Sequence, residues 1–384
     1  MKPVLRGIPL FLLCIFLGNP ATNAQSADGR TKDFPAIALE LHQGKVLPTN
    51  PFVQGDNLLG KPINSYRSIS LKMLWQNPGY TEWQRVYHAP YYGFGFFTAD
   101  FYDPEELGNP LSVYGVLGVP VKRFKKLEIY SEFQFGLAFN WKKYDSITNP
   151  KNLAIGGGMT VHLDIALKAS HPLNRWLDLG AGISFSHFSN GGFERPNRGL
   201  NLVSPTVELK AHLAGRPDVR GISRPEKSPH GGELFLMLGY GDHQLVEHEL
   251  DTNYFNVGGL SAIYLFQHTH AFKSGPGIDA NFWWGLTAAN NGTPGPVGLD
   301  NLTIGAIYQF EFAIGHLSLN GGVGNYLRHR NYGNFKQFYQ RLGARYYLTD
   351  RISLGVNVRS INFMLAEFLE FNLGYRINWK GDRS

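Results

Sequence analysis

His187 and Ser189 are the residues whose types and spacing first suggest chemistry. They stand two apart in the run His187-Phe188-Ser189-Asn190-Gly191-Gly192. In an extended chain, residues i and i+2 share a face, which puts an imidazole beside a hydroxyl. Nucleophilic catalysis uses such a pair. The surrounding row is apolar: Leu177, Leu179, Ala181, Ile183 and Phe185 precede the pair on the odd face, while Asp178, Gly180, Gly182, Ser184, Ser186 and Asn190 take the even face. A polar pair on an apolar row is costly unless the two groups satisfy each other. Two readings follow, a working pair or a polar rim where a strand meets lipid headgroups.

The elements that must position this pair are strands. Period-two alternation recurs in segments of about ten residues, as in Leu127, Ile129, Ser131, Phe133, Phe135, Leu137, Phe139 and Trp141 against Glu128, Glu132, Gln134, Gly136 and Asn140. Leu302 through Phe312 and Ile352 through Val358 repeat it. A helix would scatter each set around its circumference, whereas a strand gives each set one face. The expected fold class is all-β: a transmembrane antiparallel β-barrel of about 16 strands between residues 36 and 379. Alternatives are 12–14 strands, or an 8-stranded barrel plus a second β part, because the Pro-, Arg- and Gly-rich stretch 214–231 could mark a seam. Loops 142–155, 190–200, 289–299 and 328–336 are expected on the outer side, and tight turns 120–125, 170–174 and 349–350 on the inner.

Composition agrees. Among 384 residues, Gly 45 and aromatic 14% are high and charged 17% is low for a soluble enzyme. No apolar run after the N-terminus reaches the roughly 18 residues of a membrane helix, and a closed barrel is the other way to span a bilayer. Residues 1–24 have the layout of a secretory signal peptide, with Lys2 and Arg6, an apolar run from Ile8 to Leu17, and Ala24 at the expected cleavage site. The only cysteine, Cys14, lies inside it, so the mature chain (25–384) has no disulfide, thiolate metal site or cysteine nucleophile. Its net charge falls from +6 to +4, with no basic run that would suit nucleic acid.

On the strand expected to follow the one that carries His187, Asn201, Val203, Pro205, Val207, Leu209, Ala211 and Leu213 continue the lipid-facing parity, while Glu208, Lys210 and His212 face inward. Asn201 therefore lies across the hairpin from His187. Glu128, Glu132, His162, Asp164, Asp178, Glu208 and Lys210 form an inward set whose spacing fits no zinc or EF-hand pattern; they read as buried charge pairs. No metal or organic cofactor is expected.

The segment from His187 to Gly192, followed by Pro196-Asn197-Arg198-Gly199, resembles the active-site segment of the lipid A 3-O-deacylase family of outer-membrane barrel esterases. Gly136 to Phe139, Lys143-Tyr144-Asp145 and Asn149-Pro150-Lys151-Asn152 are similar to the loop that precedes it in a branch described as acyloxyacyl hydrolases. The resemblance covers roughly 35–215, leaving 232–379 as remaining strands. It implies a serine esterase acting on lipid A or another outer-leaflet lipid, with Ser189 as nucleophile, His187 as base, and Asn190 and the Gly192 backbone N–H at the oxyanion. One departure stands out: the family's glutamate fourteen residues after the histidine is Asn201 here. An amide can fix the imidazole tautomer but cannot stabilise imidazolium as a carboxylate does; Glu194 is the alternative acid. The last strand, Asn372 to Trp379, is similar to the signal by which the barrel-assembly machinery recognises outer-membrane barrels. The competing reading is a non-catalytic barrel, either a pore or a scaffold for its loops.

Overall fold

The computed structural model describes residues 32–192, 194–223, 225, 231–244, 254–284, 298–328, 337–361 and 365–380. Residues 1–24, expected to be a signal peptide, most of the loops expected at 289–299 and 328–336, and the Trp379 side chain lie outside the described residues. The chain divides into two compact units, residues 1–190 with 196–224, and residues 191–195 with 225–384.

The first unit is a closed antiparallel barrel of eight strands: β1 (Pro35–Val46), β2 (Ser65–Gln76), β3 (Tyr91–Asp100), β4 (Gly108–Arg123), β5 (Glu128–Trp141), β6 (Thr160–Pro172), β7 (Leu177–Ser189) and β8 (Leu200–His212). Each strand pairs with the next, and β8 returns to β1 with Ala36 opposite His212 and Leu41 opposite Val207. The second unit repeats this closure with β9 (Gly231–Gln244), β10 (Tyr254–Gln267), β11 (Phe272–Trp283), β12 (Leu302–Ile314), β13 (Leu317–Arg328), β14 (Phe338–Tyr347), β15 (Ile352–Ile361) and β16 (Leu365–Lys380), β9 bonding back to β16. The sixteen expected strands are therefore present, and they close as two barrels rather than one. No ladder joins β8 to β9, since β8 bonds β7 and β1 while β9 bonds β10 and β16.

Strand parity sets which face each side chain takes. Along β7, Leu179, Ile183 and Phe185 are exposed on the outer wall, while Asp178, Ser184 and Ser186 are buried inside. An eight-stranded barrel has an interior just wide enough for side chains to fill. Here the filling is charged: Lys72 Nζ lies 2.8 Å from Glu132 and 3.0 Å from Glu208 and also bonds Glu40, and Lys168 reaches the same three carboxylates. Glu40, Glu132 and Glu208 thus face Lys72, Lys168 and Lys210, with Tyr91 adding a hydroxyl to Glu132 at 2.6 Å. The second barrel uses arginines, with Arg341 and Arg359 on Asp279 and Arg345 on Glu311.

Two expectations change. Trp141 does not continue the outward row of β5; Asn140 adopts φ 64, which breaks the alternation and turns Trp141 inward, where its Nε1 donates to Thr160 Oγ1 at 3.0 Å. His162 and Asp164 are buried as expected but without charge partners. His162 bonds Ser112 Oγ at 2.8 Å and stacks on Phe188, and Asp164 accepts the Ser186 hydroxyl. The long inner connection 77–90 contains one short helix, α1 (Glu82–Val86).

Candidate active site on the outer wall of the first barrel

β7 and β8 place His187 and Asn201 directly opposite each other in the ladder. Across that pair the His187 Nδ1–H donates to Asn201 Oδ1 at 2.8 Å, and on the other edge of the ring Ser189 Oγ lies 2.9 Å from Nε2. With Nδ1 protonated toward the amide oxygen, Nε2 carries the lone pair that accepts the Ser189 hydroxyl. All three side chains belong to the outward face, above the exposed apolar row of Phe185 and Ile183.

Asn201 is held at both ends of its amide. Its Nδ2 donates to Thr49 Oγ1 at 3.1 Å, and its backbone carbonyl accepts the Leu47 N–H at 2.8 Å. The Thr49 hydroxyl donates its own proton to the Leu47 carbonyl at 3.5 Å and so accepts from Nδ2, which leaves Oδ1 to face the imidazole. Sequence reasoning missed Thr49, and no local pattern marks it: 152 residues separate it from Asn201, and only the closure of β1 on β8 brings them together.

Gly199 explains the Pro-Asn-Arg-Gly sequel. It adopts φ +70, and a Cβ there would stand 2.9 Å from the Phe188 carbonyl oxygen and 3.1 Å from His187 Cε1. Only glycine combines this left-handed backbone with that approach to the ring. Its position is fixed from three sides: its N–H donates to the Ala154 carbonyl, its own carbonyl accepts Asn50 Nδ2, and the neighbouring Arg198 N–H donates to Leu153 O, each at 3.0 Å. The loop that supplies those carbonyls is pinned in turn by Asn149 and Asn152. Both are fully buried, and both donate to the carbonyls of Glu106 and Lys142, while Asn152 Oδ1 caps the N–H groups of Ala154 and Ile155. In the same loop Asp145 accepts the backbone N–H groups of Thr148 and Ile147, which hold its carboxyl below the usual range. A Gly199→Ala chain is expected to keep its barrel yet lose hydrolytic activity by at least about tenfold, through displacement of the imidazole. Unchanged turnover would show that His187 tolerates the intrusion.

The other candidates are less closely gathered. Asn190 follows Ser189 and is buried, and its backbone N–H donates to Asn197 Oδ1 at 2.9 Å. Gly192, at φ +86, and Glu194 group with the second unit, whereas His187, Ser189 and Asn201 belong to the first. Among the described residues no group of three His, Cys, Asp or Glu side chains is placed to hold a metal ion.

Two family models cover most of the chain: Lipid A 3-O-deacylase (PagL) over residues 69–210, and Acyloxyacyl hydrolase, C-terminal domain, over residues 232–379. The chain belongs to this deacylase family. The first model spans β7 and β8 up to residue 210, with the His187, Ser189 and Asn201 cluster. The second covers strands that sequence reasoning had left outside the resemblance, since β9 to β16 carry no comparable motif. No curated protein matches the chain. Similar solved structures include the TodX monoaromatic hydrocarbon channel deltaS2 mutant, at 9% identity over 96% of this chain and 94% of that one with a TM-score of 0.19. An outer membrane channel from Pseudomonas putida F1 shows 10% identity over 94% and 99%, also at 0.19. Likeness at that level carries no weight for this family member, whose fold rests on its two closed ladders.

Proposed function

We propose that the chain is an outer-membrane serine esterase that removes an ester-linked acyl chain from lipid A or a related outer-leaflet lipid. The observation that carries this reading is the continuous relay Ser189–His187–Asn201 on a lipid-facing wall. A pore would put its working groups inside, and the first barrel's bore is instead filled by paired charges. Export by a cleaved signal peptide at 1–24 and insertion by the barrel-assembly machinery belong to the same proposal.

In the reaction, Nε2 of His187 takes the Ser189 proton as Oγ attacks the ester carbonyl, and the developing oxyanion is met by Asn190, the next residue along the chain. The imidazolium then gives its proton to the departing sugar oxygen, which leaves as a hydroxyl. Water, deprotonated by the same ring, attacks the acyl carbonyl, and the imidazolium returns that proton to Ser189 Oγ as the fatty acid leaves. Throughout, Asn201 keeps Nδ1 protonated and the ring aimed. The acyl chain would lie along the exposed apolar row below the pair, so that substrate can reach the hydroxyl without leaving the bilayer.

The direct test is mass spectrometry of lipid A after incubation with the purified chain in vesicles. Loss of one acyl mass with release of the matching fatty acid is expected, and an unchanged lipid A profile from a folded barrel would reject the proposal. The role of Asn201 is tested separately. Asn201→Ala is expected to lower the rate on the order of a hundredfold, while Asn201→Glu should match or exceed the parent by giving the imidazolium a carboxylate. A folded Asn201→Glu chain with no activity would mean that His187 is oriented from elsewhere, with Glu194 the next residue to substitute.

A further inference from the structure

The short-turn end of the first barrel carries a second patterned surface, far along the strands from the relay. The end of β4 presents Lys122, the turn after it Lys125 and Lys126, and the β6–β7 turn Arg175, all exposed. Among the described residues none of these four has a carboxylate within ion-pair distance. The nearby carboxylates Glu128 and Asp178 are instead taken by Arg123 and Arg216. Two of the free cations lie over aromatic rings, Lys122 at 5.9 Å from the Phe124 centroid and Arg175 at 5.0 Å from Trp176. Both rings are exposed, as are Leu173 and Leu213 beside them.

The turns form one arc rather than isolated tips. His171 at the end of β6 bonds the Lys126 carbonyl at 2.7 Å, the His212 N–H donates to Trp176 O at 2.8 Å, and the Leu213 N–H to Pro35 O at 2.9 Å. Along β7 the order runs from the exposed Leu179 through the exposed Trp176 to Arg175 in the turn, and Lys125 and Lys126 lie beyond the end of β4. A phospholipid presents the same order, acyl chain, glycerol and phosphate, and long basic side chains reach from an apolar wall to that level. A soluble acidic partner would match the charges but not the aromatics beneath them.

We propose that this arc binds the headgroups of anionic phospholipids, of the phosphatidylglycerol type, in the leaflet at the short-turn end. The attraction is additive over cations near a surface and is screened by salt. The rings set the depth at which the cations meet the phosphates.

The test is native mass spectrometry of the full chain released from detergent, with phosphatidylglycerol or phosphatidylcholine added at equal concentration. Phosphatidylglycerol should be retained in preference. The preference should fall about fivefold for each cation removed in Arg175→Gln and Lys125→Gln, and should vanish in the quadruple variant that adds Lys122→Gln and Lys126→Gln. Heat-modifiable electrophoretic migration shows that each variant is folded; if the quadruple one is not, the two single variants decide. Equal retention of both lipids, a preference unchanged in the folded variants, or full displacement by millimolar inorganic phosphate would each overturn the proposal, the last by showing a site for the free ion.

Discussion

Ser189→Ala and His187→Ala should each abolish release of fatty acid from lipid A, by roughly four orders of magnitude or more, while the barrel folds as before. The size of the effect follows from the relay. Ser189 Oγ has one ring nitrogen at 2.9 Å to take its proton, and the bond of the opposite nitrogen to Asn201 helps to orient it. Removing Ser189 takes away the nucleophile and removing His187 leaves the Ser189 proton without an acceptor, so the double variant should be no worse than either single one. Neither side chain packs the interior: both lie on the outer wall, and the paired charges of the bore are untouched by their loss. Fatty-acid release measured against heat-modifiable migration separates the two properties. Turnover that survives Ser189→Ala would remove this nucleophile, whatever the behaviour of His187.

The second large effect concerns stability alone. Lys72→Met and Glu208→Leu should each destabilise the first barrel by about 3–5 kcal/mol. Lys72 is fully buried among three carboxylates, and Glu208 meets Lys72, Lys168 and Lys210. Taking out one member leaves an uncompensated buried charge. The double variant restores balance and should recover part of the loss, a coupling that a double-mutant cycle reads directly. Asp164→Leu should cost less, about 1–2 kcal/mol, because Asp164 is partnered by the Ser186 hydroxyl rather than by a cation. Urea unfolding followed by tryptophan fluorescence gives the values. Equal midpoints for all three single variants would show that charge balance does not govern this bore. Loss of hydrolysis in a folded, equally stable lumen variant would place the chemistry inside the barrel.

Much of this was legible in the sequence because the side-chain period of a strand is two. Counting parity along β7 and β8 was enough to put His187, Ser189 and Asn201 on one face and Glu208 and Lys210 on the other. It failed at Asn140, where one left-handed residue shifts the count and carries Trp141 to the opposite face. Closure was harder to read. An amphipathic strand carries no mark of which distant strand it will pair with, so sixteen strands were countable while the return of β8 to β1 was only an alternative. The same non-local pairing hid Thr49 and Asn50, which meet Asn201 and Gly199 from the far side of the seam. The buried Asn149 and Asn152 were visible as a motif, but their task of pinning the carbonyls that hold Gly199 belongs to three-dimensional structure.

The two closures also set an order of events during assembly. The first ladder is complete once β8 can meet β1, so all of its hydrogen-bonding partners exist when residue 212 is available. The second needs β16, which flanks both β9 and β15. A chain stopped within β16 would therefore leave two strand edges open in the second half, each a row of unpaired amides ready to template the wrong neighbour, while the half that carries Ser189 would already be sealed.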